Sequence, residues 1–305
     1  MLITDQMVSI LIPTYNAGSS FGTLLEILNR QQLRLFEVIV VDSSSTDETL
    51  AIAKSHGVQT FVIPKQDFDH GGTRTQLGKM AKGDVLVYLT QDALPLNEGA
   101  VPALVSRLLE DERIGAAFGR QIPHRDATPF AQHLRAFNYP AVSHTRAIEE
   151  CDQYGMKTFF CSNSFAAYKR KALENVGWFK AGLLMGEDMH ACAKMLVNGF
   201  HIAYGADAVV YHSHNYSMRQ EFRRYFDLGA FFSKEPWILE RFGSASSEGL
   251  RFVRSEFSFL IRNGFPHYVP MSLFRLAAKG LGYRLGHLYR YLPPQFIRWA
   301  SMHTK

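Results

Sequence analysis

Cysteines, long apolar runs and a basic N-terminal segment are scarce or missing in this sequence. Cys151, Cys161 and Cys192 are an odd number of cysteines without the spacing of a metal site, so we expect reduced thiols. No run reaches the roughly 18 apolar residues that a membrane-spanning helix needs. The opening residues, MLITDQ, lack the basic part of a secretory signal peptide. These absences predict a cytoplasmic protein.

Acidic residues are missing from the last part of the chain. Between Phe257 and Lys305 there is no Asp or Glu, but there are seven Lys or Arg. Subtracting these seven charges from the formal net charge of +5 leaves about −2 for the first 256 residues. A nucleic-acid-binding protein should carry its positive charge on the recognition domain itself. We therefore expect no nucleic-acid partner.

Short apolar segments alternate with helical patterns in the first half of the chain. This alternation is typical of parallel βαβ units, which leave a ligand crevice at the carboxyl ends of the strands. In one of the helical segments, Ser45 and Glu48 fit a capping box. The predicted strands are 8–13, 37–42, 58–63 and 84–89, and the predicted helices are about 20–30, 44–57, 72–81 and 97–110.

The second half of the chain is less regular. Its predicted elements are strands at 114–122, 157–168 and within 201–217, a short helix at 169–176, a helix that ends at Gly199, and an irregular polar segment at 123–155. Beyond Tyr216 the pattern becomes helical, aromatic and basic. We therefore predict an α/β domain over 1–215 and a helical basic region over 216–305.

Leucines recur at helical spacing in the basic region. They occupy positions 273, 276, 281, 285, 288 and 292. Arg275, Lys279 and Arg290 fall toward another side of this helix, and Arg284 interrupts the apolar stripe. Two interpretations are open: the helix packs against the first domain, or it makes peripheral contact with an anionic membrane.

Polar and charged residues follow several of the predicted strands or begin a helix. The segment GGTRTQLGK has the spacing of neither a Walker motif nor a GxGxxG fingerprint, which disfavours a nucleoside triphosphatase and a nicotinamide enzyme. The polar groups are Pro13-Thr14-Tyr15-Asn16, Asp42-Ser43, Arg74 behind FDHGGT, Gln91-Asp92, Glu187-Asp188 and His212-Ser213-His214.

The segments SILIPTYNAG, VIVVDSSSTDET, GDVLVYLTQDALP and GEDMHACAKMLVNGF occur in this order within about residues 7–215. Together they resemble the nucleotide-sugar glycosyltransferases of family 2. The resemblance implies the GT-A fold, a mostly parallel α/β sheet flanked by helices, here followed by the helical basic region. VDSSSTD, FDHGGTR, LTQDA and CSNSFAAYKR are most similar to the bacterial branch that transfers rhamnose from dTDP-rhamnose. That branch implies a saccharide acceptor, commonly lipid-linked at the inner leaflet, in surface polysaccharide (O-antigen) synthesis.

The resemblance also implies a metal site. A sugar diphosphate leaves with negative charge that Mg²⁺ or Mn²⁺ can neutralise when carboxylate oxygens hold the cation. Most family members place an Asp-x-Asp or Asp-Asp pair here, whereas this chain has Gln91-Asp92 and keeps one carboxylate. His212 and His214 are candidates to complete the site with Asp92. The alternatives are a helix-capping role for Asp92 and an ordinary packed histidine at position 212.

The nucleotide is expected at the first strand ends. By resemblance, Asp42 lies near the base or ribose, Tyr15 packs against the base, and Arg74 lies near the diphosphate. Where many family members have a second acid after Asp42, this chain has Ser43. Alternatively, Asp42 is an acid favoured by a helix N-terminus, and Tyr15 is an edge aromatic. The expected nucleotide-binding residues are Pro13, Tyr15, Asp42, Ser43, Arg74 and Gln91.

Asp188 is the expected general base. An acceptor hydroxyl has a high pKa, so a positioned carboxylate must take its proton during attack. By resemblance the second acid of the Glu-Asp pair has this role, and Glu187 orients the acceptor or the base. Two adjacent buried acids raise each other's pKa. GED is also an ordinary helix start, and the two roles are compatible.

The acceptor side is expected to include the segment CSNSFAAY. Asn163 and Trp178 are its candidates, because a Trp face often supports a sugar ring. His70 and Gly71 complete the expected sugar site, with glycine allowing close approach of a ligand. For Trp178 a core position is an equally good interpretation. Two rival functions are the same fold with a UDP-sugar donor, and a non-catalytic nucleotide-sugar-binding protein.

Overall fold

The computed structural model describes residues 6–243 and 246–303. The strands in this part of the chain form one sheet in the order β3-β2-β1-β4-β8-β6-β9-β5, with β7 paired to β9. Their bounds are β1 (Val8–Thr14), β2 (Phe36–Asp42), β3 (Gln59–Val62), β4 (Val85–Leu89), β5 (Leu94–Pro95), β6 (Ile114–Ile122), β7 (His144–Arg146), β8 (Phe165–Lys169) and β9 (His201–Tyr211).

The sheet is parallel in one half and mixed in the other. Strands β3, β2, β1 and β4 run parallel, as the alternating sequence pattern predicts. Beyond β4 the direction changes, because β8 runs antiparallel to both β4 and β6. Strands β6 and β9 are again parallel. The predicted α/β architecture is confirmed, with a mixed rather than a mostly parallel sheet.

Helices cover both faces of the sheet, and a helical region follows β9. Their bounds are α1 (Ser20–Asn29), α2 (Thr49–Ser55), α3 (His70–Met80), α4 (Ala100–Leu109), α5 (Pro129–Asn138), α6 (Cys151–Tyr154), α7 (Arg170–Asn175), α8 (Glu187–Val197), α9 (Met218–Lys234), α10 (Pro236–Phe242), α11 (Ser246–Arg262), α12 (Val269–His287) and α13 (Pro294–Ala300). Short 3₁₀ helices span Lys65–Asp67, Ile148–Glu150, Gly155–Thr158, Pro266–Tyr268 and Tyr289–Tyr291.

Two hydrophobic cores lie on opposite faces of the sheet. Side chains alternate across a strand, so Ile10 and Ile12 of β1 join one core while Leu11 joins the other. The first core packs against α1 and α4, and the second against α3 and α8. Because strands buried on both faces read as continuous apolar runs, the central strands are visible in the sequence.

Two sequence predictions differ from the structure near the strand ends. Ser45 does not cap a helix with Glu48, because its backbone N–H and hydroxyl both donate to Asp42, at 2.7 and 2.6 Å. Helix α2 therefore begins only at Thr49, whose N–H donates to Asp47. The segment 123–155, predicted to be irregular, contains α5, whose N-terminus is capped by Thr128.

Helices α9 and α12 approach each other closely in the C-terminal region. Gly229 of α9 faces Gly286 of α12, and a Cβ on Gly286 would lie 2.1 Å from the carbonyl oxygen of Phe226. Charged residues of α12 also point inward: Arg275 and Lys279 are buried and pair with Glu221 at 2.8 and 3.4 Å. Within the described residues, no helix has the length and apolar content to cross a membrane.

The Gly286→Ala variant should lose about 2 kcal/mol of unfolding free energy, because the added methyl group collides with helix α9. Gly280→Ala is the matched control on the same helix. A Cβ at Gly280 meets open space, so this change should stabilise the helix by about 0.5–1 kcal/mol. Urea unfolding of both variants measures the difference, and equal stabilities would contradict the close contact.

Candidate active site

Asp92 and two histidines meet at one edge of the sheet. Asp92 precedes β5, and β5 pairs with the end of β9, which His212 follows directly. Asp92 Oδ1 lies 3.5 Å from His212 Nε2, and Asp92 Oδ2 lies 3.6 Å from His214 Nε2. The two Nε2 atoms are 3.1 Å apart. The three predicted metal ligands are therefore brought together.

His212 is held in one tautomer by its neighbour. Its Nδ1 lies 2.8 Å from Gln121 Oε1, which can only accept, so Nδ1 carries the proton. Arg135 donates to the same oxygen. The lone pair of Nε2 then faces Asp92, in the form that binds a metal. Burial lowers the pKa of His212, and burial together with His212 lowers the pKa of His214 to about 4.

These residues fit a divalent cation. The ligand atoms of Asp92, His212 and His214 all lie within 4.8 Å of one another. Both imidazoles are neutral at neutral pH because their pKa values are lowered. A carboxylate and two neutral imidazoles are a donor set that proteins use for divalent transition-metal ions, including Mn²⁺. One carboxylate instead of two makes the set less favourable for Mg²⁺, whose preferred ligands are oxygens.

Gln91 stands where most family members have an aspartate, and its side chain binds the protein backbone. Its Oε1 accepts from the N–H of Tyr15 at 2.8 Å, and its Nε2 donates to the carbonyl of Tyr15 at 3.1 Å. A carboxylate could accept the first bond but could not donate the second. The Gln91 amide therefore fixes the backbone of the loop after β1. This contact gives a structural reason for an amide, and not a second carboxylate, at the position before Asp92.

Asp42 is a buried acid that holds the neighbouring loops in place through hydrogen bonds. It is fully buried, and its carboxylate accepts from Thr14 Oγ1 at 2.9 Å and twice from Ser45. These bonds tie the ends of β1 and β2 to the start of the next loop. Ser43 Oγ is buried and forms no hydrogen bond with the described residues.

The loops that follow β1 and β2 lie above Asp42 and contain residues with side chains exposed to solvent. Asn16 and Ser44 have φ of +45° and +60°, a left-handed conformation that is uncommon for residues other than glycine. Tyr15 is partly exposed, and Lys65 Nζ lies 2.7 Å from its hydroxyl. Pro13 lies half-buried in β1 opposite Val41. Five of the six predicted nucleotide-binding residues thus lie at the ends of β1, β2 and β4 or in the loops that follow them, with Asp42 buried beneath, whereas the sixth, Arg74, lies on α3 and contacts Glu187 and His70.

Arg74 and Glu187 form a buried ion pair. Arg74 Nη1 lies 3.3 Å from Glu187 Oε1, and each residue is about 5% exposed. Burial opposes ionisation of Glu187, but the charges of Arg74 and His70 and the hydrogen bond from Asn163 together lower the pKa of Glu187. The same guanidinium contacts His70, and its Nε is buried without a partner among the described residues.

Asp188 is the adjacent acid with the opposite pKa shift. Its carboxylate accepts from the backbone N–H groups of Asn163 and Met189 at 2.9 and 2.8 Å, which fixes its orientation. Burial and the neighbouring charge of Glu187 raise the pKa of Asp188 to about 7. The pair therefore contains one permanent anion and one group that exchanges a proton near neutral pH.

The segment 162–164 joins the two halves of the site. Ser162 accepts from Gln121 Nε2 at 3.1 Å, on the side of the Asp92 cluster. Asn163 donates to Asp188 through its backbone and to Glu187 through Nδ2 at 3.1 Å. The Ser164 carbonyl accepts from the N–H of Thr90 at 3.3 Å. A single loop thus positions the acid pair relative to the Asp92 cluster.

The profile of glycosyl transferase family 2 matches residues 9–177, more than half of the chain. The chain belongs to glycosyl transferase family 2. Its predicted membership and its activity as a glycosyltransferase are thereby confirmed. The match spans β1 through α7 and so includes Asp92 and Asn163, whereas Asp188 and His212 lie beyond it.

Two relatives are similar to this glycosyltransferase along nearly their whole length. The O-antigen chain rhamnosyltransferase RfbN of Salmonella typhimurium is 43% identical over 298 residues, or 97% of this chain and 94% of the relative. The O-antigen chain rhamnosyltransferase WbaN of Salmonella anatum is 42% identical over 297 residues, with the same shares. The expected similarity to rhamnosyltransferases is confirmed.

A solved structure supports the fold of this glycosyltransferase. The mannosyltransferase of Pyrobaculum calidifontis, in complex with GDP-Man and Mn²⁺, superimposes with a TM-score of 0.61 at 18% identity. The match covers 91% of this chain and 86% of that chain. At this identity the likeness establishes the shared fold alone, and the predicted GT-A fold is confirmed.

Two predicted sugar-site residues have structural partners in this glycosyltransferase. A Cβ on Gly71 would lie 2.0 Å from the carbonyl of Lys180, so glycine permits α3 to touch that loop. Trp178 lines a separate cavity with Trp237 and Lys194. Lys194 belongs to the C-terminal half of α8, whereas Asp188 lies at its N-terminal end. Trp178 is therefore not brought together with the acid pair.

Sequence reasoning missed several residues that position the site. Gln121 and Arg135 orient His212, and His303 contacts His70, with His303 Nδ1 and His70 Nε2 3.3 Å apart. Gln121 had a usable signal, since it stands near the end of a predicted strand like the other site residues. Arg135 lies in a helix that was not predicted. His303 is far along the chain, and only packing brings it to α3.

Replacing Glu187 by glutamine should destabilise the transferase strongly. The change leaves the Arg74 guanidinium buried without its anion, so we expect a loss of about 3 kcal/mol in unfolding free energy. Glu240→Gln, at an exposed position, is the matched control and should change stability by less than about 0.5 kcal/mol. Urea unfolding measures both, and a loss below about 1 kcal/mol for Glu187→Gln would argue against a buried ion pair.

Proposed function

We propose that this glycosyltransferase transfers L-rhamnose from dTDP-β-L-rhamnose to a saccharide acceptor, with inversion to an α-L-rhamnoside, in O-antigen synthesis. The inverting, base-assisted mechanism rests on one observation, the fixed Asp188 carboxylate whose pKa is raised to about 7. The sugar and the pathway rest on the two rhamnosyltransferases that are similar along almost the whole chain.

Asp188 acts as the general base in this proposal. As the acceptor oxygen attacks the anomeric carbon, its proton passes to the Asp188 carboxylate, and the bond from that carbon to the diphosphate breaks. dTDP leaves with the bonding electron pair. Glu187 stays ionised beside Arg74 and raises the proton affinity of Asp188. A base with a pKa near the working pH combines availability with sufficient strength.

Asp92, His212 and His214 would hold Mg²⁺ or Mn²⁺. A bound cation offsets the negative charge that develops on the leaving diphosphate. Gln121 keeps the His212 lone pair directed toward Asp92 through its bond to Nδ1. Arg74 supplies a further positive charge near the acid pair, and its free Nε–H is a candidate donor to a phosphate oxygen.

The nucleoside would rest on the loops that follow β1 and β2. Tyr15 offers an aromatic face, and Gln91 holds the backbone of Tyr15 in place. The buried Ser43 hydroxyl, without a partner in the described chain, is a candidate contact to the base or ribose. We assign Asp42 an indirect role, because its carboxylate is already occupied by Thr14 and Ser45.

We propose that residues 1–215 carry out the transfer and that residues 216–305 serve the acceptor. The acceptor would be a lipid-linked saccharide at the cytoplasmic face of the inner membrane. His70 and Asn163 lie next to Arg74 and Asp188 and are the candidates for sugar contact. Trp178, in its separate cavity, would meet an acceptor only if the saccharide extends beyond the acid pair.

A donor panel tests the proposed function. The purified protein is incubated with Mg²⁺ or Mn²⁺, membrane lipid extract from an O-antigen-producing bacterium, and dTDP-rhamnose, UDP-glucose or GDP-mannose. Release of dTDP with transfer of rhamnose to the lipid fraction is the expected result. Transfer from UDP-glucose alone would support the proposed mechanism and contradict rhamnose as the transferred sugar. No turnover with any donor despite nucleotide binding would support a non-catalytic binding protein.

A further inference from the structure

Helix α12 presents an apolar face to solvent and its charged residues to the protein. The inward residues are Ser272, Arg275, Lys279, Gly282 and Gly286, all buried. On the opposite side of the helix lies an exposed strip that we call the outer face of α12. Its residues are Leu273, Phe274, Ala277, Leu281, Arg284 and Leu288.

Helical geometry gathers this strip into one continuous surface. At 100° per residue, these positions fall within an arc of about 100°, and they extend over roughly 22 Å of helix. The large apolar members are about half to two thirds exposed: Leu273 at 55%, Phe274 at 66%, Leu281 at 56% and Leu288 at 48%. Tyr291, just beyond the helix, is 84% exposed. An exposed strip of this kind marks a binding surface.

The inward side of α12 explains why the leucines face outward. Gly282 and Gly286 let the backbones of α9 and α12 touch, so larger side chains would be excluded there. Arg275 and Lys279 both form ion pairs with Glu221 on this inward side. The charged and small residues of α12 therefore form its contact with α9. Packing of the opposite side of α12 against α9 therefore turns these leucines outward and leaves an apolar strip that a binding partner can cover.

The charge around the outer face indicates the nature of that partner. Exposed arginines occur at 262, 284, 290 and 298. Most acids of the region are buried, namely Glu221, Asp227, Glu235 and Glu256. Among the described side chains from 218 to 303, Glu240 is the one exposed acid. An apolar strip with arginines and almost no exposed acid complements an anionic phospholipid surface.

We propose that the outer face of α12 lies on the surface of an anionic phospholipid membrane, with the leucines and Phe274 among the acyl chains and the arginines at the headgroups. The helix lies along the membrane and does not cross it, because its opposite side is polar and packed on α9. This inference deepens the proposed function by supplying the contact that a lipid-linked acceptor requires.

Vesicle co-sedimentation tests the membrane surface without relying on activity. The full-length protein is mixed with phosphatidylcholine vesicles, with or without phosphatidylglycerol, and the bound fraction is measured. We expect binding to the anionic vesicles that weakens in 1 M salt, where screening acts within about 3 Å. Phe274→Glu with Leu281→Glu should lower the partition coefficient by about a hundredfold, because two apolar contacts are lost and two negative charges face the lipid.

A matched control separates the outer face from surface charge in general. Leu35→Glu with Val142→Glu makes the same charge change at two exposed apolar residues of the α/β domain, 51% and 73% exposed. This variant should bind vesicles as the wild type does. Circular dichroism and thermal unfolding should be alike for all three proteins, since none of the four side chains is buried.

Three outcomes would overturn the proposal: no binding of the wild type to anionic vesicles, equal binding by the α12 variant, or loss of binding in the control variant. Concentration-dependent dimers that the α12 variant abolishes, without vesicle binding, would assign this face to a second copy instead. The proposed function is judged separately. Vesicle binding without rhamnosyl transfer would support the membrane surface and contradict the proposed function. Rhamnosyl transfer without vesicle binding would support the proposed function and contradict the membrane surface.

Discussion

Replacing Asp188 by asparagine should lower kcat by about a thousandfold while leaving the affinity for the donor nearly unchanged. The amide keeps the shape of the side chain but cannot take the acceptor proton. Because the base acts only as the acceptor attacks, the loss belongs to the transition state and not to donor binding. Steady-state transfer rates and calorimetric titration of the nucleotide measure the two effects separately.

The control for this prediction is Asp152→Asn, which removes an exposed acid from the first turn of α6. It should retain full activity. The stability of Asp188→Asn gives a second check. Since the pKa of Asp188 is raised in the folded state, stability is lost as pH rises through about 7 and the carboxylate ionises. The uncharged amide avoids this loss, so the variant should unfold at a higher temperature than the wild type at pH 8.

The same pKa fixes the pH dependence of the wild type. Only the carboxylate form of Asp188 accepts a proton, so kcat/KM should rise tenfold per pH unit below about 7 and level off above it. The inflection should be absent from the residual activity of Asp188→Asn. Full activity of the variant would show that another group is the base, and an inflection near pH 4 in the wild type would contradict the raised pKa of Asp188.

Replacing Asp92 by asparagine should lower turnover by about a hundredfold or more, and the activity should lose its response to added Mg²⁺ or Mn²⁺. The change removes the one carboxylate of the cluster and leaves two imidazoles, which hold a hard cation poorly without an anionic oxygen. Rates measured across a metal titration, with chelator as the starting point, give the affinity and the maximal effect together.

Asp207→Asn is the matched control for this second prediction, because it removes an exposed acid from β9, the strand that precedes His212. It should show the metal dependence of the wild type. If chelator leaves donor binding and turnover of the wild type untouched, the metal role of Asp92 is wrong. His212→Ala should resemble Asp92→Asn, whereas Gln121→Ala should weaken the response to metal and leave it detectable.

The strands near the site are predictable because their physical signal is local. Ile10 to Ile12 and Val38 to Val41 are apolar on both faces, so each strand is visible without knowledge of its neighbours. Strand β6 was predicted at 114–122 and spans the same residues. The acids and histidines at strand ends were visible for the same reason, since Asp42 ends one apolar run, His212 directly follows another, and Asp92 and His214 come within three residues of one.

The contacts between these groups are not local, and they were not readable from the sequence. Asp92 meets His212 because the two-residue strand β5 pairs with β9, and no periodicity identifies so short a strand. Gln121 orients His212 only through the parallel pairing of β6 and β9. On α12 the spacing predicted a helix, but close packing by Gly282 and Gly286, and not the leucine pattern, decides which side is buried.

Calorimetric titration of the purified protein with dTDP and with UDP, each in Mg²⁺ and in chelator, tests whether the protein binds the proposed donor nucleotide through a divalent cation. We expect that dTDP binds more tightly than UDP and that chelator weakens this binding at least tenfold, because in the proposed function Asp92 and the two histidines would hold the cation at the diphosphate. Preference for UDP, or binding of dTDP that chelator does not change, would contradict this expectation.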